Sequence, residues 1–177
     1  MEPISRSSAT VKTLLNIVAL MVAKRKPRST REEAKFDSSH LDAPSYHLGM
    51  IYAFAEAVAS GCKRLALSPP MTEEQLDSII DQVRLIAREY DLVLDVDNNF
   101  LTTKLFNPAY TRGKRVIHMA AEQATIDEYK ALKDFKRRHV EAGTLTEDLE
   151  EEIAWKLGRL LSYSDEAITL LMKKPRF

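Results

Sequence analysis

Asp95 and Asp97 stand two residues apart in an apolar run, Leu-Val-Leu-Asp-Val-Asp, that reads as a strand. Side chains two apart on a strand share a face. Ligands of open α/β sheets gather beyond the C-terminal ends of strands, where paired carboxylates can hold a divalent cation or act as a base. The competing account gives Asp97 to a turn with Asn98 and Asn99 and leaves Asp95 as a solvated strand residue. A basic loop, Arg112-Gly113-Lys114-Arg115, precedes another expected strand. Its glycine lets backbone N–H groups approach an anion closely. Lys130, Lys133, Lys136 and Arg137 then recur at helical spacing in the next helix. Loop and helix face together could cradle the phosphates of a nucleotide or of a nucleic-acid backbone. Otherwise they form a solvated face, partly neutralised by Glu122, Asp127 and Asp134. His118 is a core histidine or the polar side of its strand, and it joins the set through its nearness to Arg115. The ligand-binding set is therefore Arg112, Lys114, Arg115, His118, Asp95 and Asp97, with no metal ligand, catalytic residue or cofactor assigned.

Other reactive residues lack a supporting pattern. His40, Asp42 and His47 could make an open zinc site, but the six residues between the histidines do not give the i, i+4 spacing that puts both on one helix face. A helix-entry loop capped by Ser45 accounts for them. Cys62 follows Gly61, and Ser68 precedes two prolines. Neither lies in a nucleophile elbow or a local Cys–His signature.

The elements that would position these residues follow from periodicity and caps. Apolar residues cover most of an expected helix at 10–23, so it must be buried in a core or against a partner. Three cations, Lys24 to Lys26, follow where a helix C-terminus favours them, and Pro27 ends the helix. Residues 27–44 read as a polar linker. A helix follows at 45–60, stopped by Gly61, and a short strand at 63–68. Thr72 and Gln75 form a capping box, and Leu76, Ile79, Ile80, Val83, Ala87 and Tyr90 make one core-facing stripe behind it. Strands are expected at 92–96, at 101–106 as a hairpin arm, and at 115–119. The order strand, helix, strand over 63–96 suggests a right-handed parallel crossover. Thr125 with Glu128 reads as a second capping box, Thr146 as the cap of a further helix, and Ser164 as the cap of a last short one.

The closing phrase Trp155-Lys-Leu-Gly-Arg-Leu-Leu-Ser-Tyr-Ser-Asp-Glu-Ala-Ile168 resembles a family of small prokaryotic proteins of unassigned function. These commonly end in a Leu-Gly-x-Leu-Leu-Gly-Tyr-Pro turn and a short helix, often with paired cysteines. The likeness extends over about residues 63–172. Ser162 and Ser164 replace the Gly and Pro of that turn, and no cysteine follows Asp165 and Glu166. The resemblance implies an α/β domain with a helical C-terminus and brings no activity with it.

Composition sets the outer bounds. The 177 residues are 45% hydrophobic, enough to bury a core. Twenty-six Lys and Arg balance 26 Asp and Glu, which argues against a chain that lives on nucleic acid or an anionic membrane. The single cysteine excludes an intrachain disulfide and fits a reducing, cytoplasmic setting. No apolar run reaches the ~18 residues of a membrane span. Charge is uneven in place: residues 1–31 hold seven cations against Glu2, and residues 141–166 hold eight acids against Lys156 and Arg159. Their complementarity, with the apolar helix at 10–23, points to a homodimer. The expected fold is α/β, a small mixed sheet of about four strands covered by about six helices and helix-rich at both ends. Residues 1–44 form a helix with its basic, polar linker, and 45–177 form one domain. Two functions fit: binding of a small phosphorylated or acidic ligand at the basic loop, or a non-enzymatic role docking on an acidic protein or nucleic acid through 24–31 or 130–138.

Overall fold

Six helices and a small three-stranded antiparallel sheet make up the described residues, 40–175, of this computed structural model. The apolar helix expected at 10–23, the basic segment 24–31 and the homodimer contact that depends on them lie outside the described residues. Helix α1 (Ala43–Ala59) starts two residues earlier than its expected cap, because Asp42 rather than Ser45 is the N-cap: its carboxylate accepts the Ser45 N–H at 2.9 Å. Pro44 sits in the first turn, where its missing N–H is no loss.

Strand β1 (Leu65–Leu67), helix α2 (Glu73–Glu89) and strand β2 (Val93–Asp97) follow in the expected order. The capping box forms as read: Thr72 Oγ1 accepts the Gln75 N–H, and the Gln75 side chain accepts the Thr72 N–H at 2.8 Å. Strand β3 (Val116–Ala120) then inserts between the two earlier strands, giving the order β1-β3-β2. It runs antiparallel to both, so β1 and β2 share a direction without touching. The adjacent parallel crossover is therefore corrected to one that spans an interposed strand. All five residues of β3 are buried, as its central place requires.

The fourth strand is absent from the described residues. At 101–106 the chain is irregular, with Leu101 and Leu105 buried. Its backbone groups find side chains instead of a ladder: the Leu101 N–H donates to the Tyr129 hydroxyl, the Leu105 N–H to Thr103 Oγ1, and the Thr102 carbonyl accepts from Lys136. Buried polar backbone must be paired, and here helix side chains supply the partners. Helix α3 (Pro108–Thr111), a single turn, was not foreseen; Asn107 caps it.

Helix α4 (Gln123–Glu141) begins just past β3, with Glu122 at its N-cap and no side-chain cap bond. Thr125 is buried inside the first turn, so the second capping box is corrected. Helices α5 (Glu147–Leu160) and α6 (Asp165–Lys173) have the expected caps, Thr146 and Ser164. Two cores result, one on each face of the sheet. Ala66, Ile117 and Met119 pack with Ile51, Ile79 and Val83 of α1 and α2. Leu65, Val116 and Ala120 pack with Ile126, Tyr129, Ile153 and Leu157 of α4 and α5.

Candidate functional site

Strand alternation sorts the expected site residues into two groups. Side chains alternate between faces along β3, so Val116 and His118 face α4 while Ile117 faces α2. Arg115, which precedes β3 and pairs with Met71 in an isolated bridge, turns to the α2 side and meets Glu73 at 2.9 Å. The six residues are thus not one site. Asp95, Asp97 and His118 lie together under α4, whereas Arg115 and Lys114 lie by Glu73 and Glu74 at the N-terminus of α2, with Arg112 two residues before Lys114 in the loop.

In the first group Asp95 is the direct cross-strand neighbour of His118, with Oδ2 3.4 Å from Nδ1. Lys130 Nζ is 2.6 Å from Asp95 Oδ1, and Lys133 Nζ is 2.5 Å from Asp97 Oδ1. Asp97 also accepts the Tyr129 hydroxyl at 2.7 Å and the Asn99 N–H at 2.9 Å. The last of these is the turn expected after β2, and it coexists with the buried carboxylate. Burial works to raise the Asp97 pKa, but Lys133, the Asn99 N–H and the Tyr129 hydroxyl outweigh it and hold the carboxyl below its ordinary value. His118 is fully buried, its ring centroid 4.1 Å from that of Tyr129, and its Nε2 has no partner. Burial pushes the His118 pKa down. Asp97 and Asp95 pull it up, and Lys133 adds to the downward push.

The basic face of α4 is not free for phosphates. Lys130 and Lys133 are held by Asp95 and Asp97; Lys136 by Glu150 and the Thr102 carbonyl; Arg137 by Asp134 and Glu141. Most of these partners come from other elements, not from the local acids expected to neutralise the face. Tyr129 is the residue sequence reading missed. It stands among Ile126, Leu132 and Phe135 in a core stripe, yet a buried tyrosine hydroxyl demands a polar partner, and the nearest unexplained carboxylates were those of β2.

In the second group Arg112 is exposed and has no ion pair or side-chain hydrogen bond among the described residues. Gly113 follows with φ 69°, and open space surrounds the position a Cβ would take. Its N–H has no hydrogen-bond acceptor among the described residues. Lys114 lies near Glu74 and draws the Glu74 pKa down as the least of its causes, after the Glu74 backbone N–H and the Thr72 hydroxyl, with burial opposing. Tyr110, two residues before Arg112, is 55% exposed.

The remaining candidates have local duties. Asp42 caps α1. His47 is buried on α1 with Nδ1 unpartnered, and no group of three His, Cys, Asp or Glu among the described residues could hold a metal ion. Ser68 Oγ is buried, donating to the Pro69 carbonyl and accepting the Ile117 N–H, which continues the β1–β3 pairing. Cys62 is exposed, 3.5 Å from Ser60 Oγ. No helix among the described residues is long and apolar enough to cross a membrane. Comparison with protein families, curated proteins and solved structures finds no match.

Proposed function

We propose that the chain is a binding domain for a small phosphorylated or acidic ligand, held at the loop of residues 110–115. The observation that carries this reading is the contrast between Arg112 and the other cations expected to bind phosphate. Arg115, Lys130, Lys133, Lys136 and Arg137 are each matched to a carboxylate, whereas Arg112 is exposed and unmatched among the described residues. Beside it an unbonded Gly113 N–H offers a second donor, so guanidinium and amide can grip one anion between them. Glu73 pairs with Arg115 and Glu74 lies near Lys114, so Arg112 is the cation of the loop left for a ligand.

A thermal-shift screen of nucleotides, sugar phosphates and carboxylates tests the reading. A ligand at ~100-fold over its Kd adds about 2.7 kcal/mol, several degrees for a domain of this size. The shift is expected to shrink with salt and to vanish in Arg112→Ala/Lys114→Ala. A flat screen overturns it.

The second reading, docking of an acidic protein on the same loop, draws support from Tyr110 beside Arg112, two residue types that dominate interface energetics. Capture of an acidic peptide, lost on Tyr110→Ala, with small anions inert, would favour it.

A further inference from the structure

Helix α4 meets the sheet through a polar cluster whose centre is an imidazole. His118 is on the middle strand, fully buried, with Nε2 unpartnered. From β2 it is faced by Asp95 and Asp97, and from α4 by Tyr129, Lys130 and Lys133. Its β1 neighbour is Leu67, and the loop after β2 brings the Phe100 ring to 6.3 Å; neither titrates. With a neutral ring, two carboxylates and two ammonium groups balance. A proton on His118 adds an uncompensated charge inside this cluster and makes both ring nitrogens donors, while Nε2 has no acceptor among the described residues.

We propose that His118 is an acid-operated latch, which closes α4 on the sheet when neutral and opens that junction when protonated. The direction follows from where the proton is better held. Burial disfavours the charged ring in the closed form more than Asp97 and Asp95 favour it, and Lys133 opposes it as well. In the open form the ring regains the ordinary value near 6.5. Falling pH below that value therefore draws the equilibrium toward the open form, until pH passes the lower value of the closed form, where both forms hold the proton and the effect ends. Opening would bare Ile126, Tyr129 and Phe100, which are buried in the closed form.

Hydrogen exchange on the full chain between pH 7.5 and 5 tests the latch. After correction for intrinsic rates, protection of the α4 amides at 126–133 is expected to fall as pH drops below about 6.5 in the wild type, and to level off once the closed form is protonated too. His118→Phe keeps a ring and cannot take a proton, and its protection is expected to stay level. His47 is a second buried histidine, on α1 in the opposite core, so His47→Gln is expected to leave the α4 response intact. Level protection in the wild type, or an unchanged response in His118→Phe, overturns the proposal. Should His118→Phe not fold, the wild-type imidazole resonance and Asp95→Asn decide. Removing the carboxylate that favours the charged ring is expected to move His118 protonation to lower pH. An unmoved midpoint, or a ring that charges while α4 stays protected, overturns the latch.

Discussion

The Tyr129 hydroxyl donates to Asp97 Oδ2 at 2.7 Å and accepts the Leu101 N–H at 2.9 Å, so one helical side chain ties down both the last residue of β2 and the loop beyond it. Tyr129→Phe leaves the ring's packing in place and deprives both partners, each buried, of this bond. The unmet desolvation is expected to cost about 1–3 kcal/mol. Urea unfolding of the two proteins measures it, and a loss within error of zero would show that water replaces the hydroxyl.

Acid should act on Asp97 as well. Its folded pKa lies below the ordinary 3.8, so its contribution to stability is complete above that value and is lost as pH falls through the folded pKa. Stability measured from pH 5 downward is expected to decline in the wild type and to decline less steeply in Asp97→Asn. Equal slopes would mean that other carboxylates carry the acid response.

Gly158 is where α5 and α6 meet. A Cβ there would lie 2.6 Å from Ile168 Cγ1 and 2.7 Å from Cδ1, and Ile168 is fully buried. Gly158→Ala is expected to destabilise by about 1–3 kcal/mol through overpacking, against the roughly 1 kcal/mol that alanine gains in a helix. Ile168→Val, which removes Cδ1, is expected to restore part of the loss in the double variant. Additive losses would place the strain elsewhere.

Among the described residues two non-glycine residues hold left-handed backbone, Asp91 at φ 52° and Ser162 at φ 62°. Asp91→Gly is expected to raise stability by roughly 0.5–1 kcal/mol. Ser162→Gly relieves the same strain but forfeits the Ser162 Oγ that accepts the Arg64 N–H at 2.9 Å, so its gain should be smaller. Chemical denaturation ranks the two; a larger gain at Ser162 contradicts the argument.

The local signals were legible and the tertiary ones were not. Thr72 with Gln75, Thr146 and Ser164 announced helix starts because a cap is set by residues a few positions apart. Asp95 and Asp97 were legible as a pair sharing one face. Their partners, Lys130 and Lys133, stood 35 or more positions away and were read as a phosphate cradle or a solvated face paired with nearby acids, because spacing along a helix gives a direction but not what lies opposite. The segment at 101–106 failed as a strand for the same reason: Tyr129 and Lys136 of α4 take up the backbone at Leu101 and Thr102, which no local pattern reveals. The insertion of β3 between β1 and β2 is likewise a fact of topology, whereas Arg115 and His118 are parted by the alternation of side chains along β3.

The anion site is tested most directly by following backbone amide resonances while inorganic phosphate is added. The account predicts saturable shifts at Gly113 and Arg112, reduced by salt and absent in Arg112→Ala. Gly113 unmoved throughout the titration, or shifts that persist in Arg112→Ala, would contradict it.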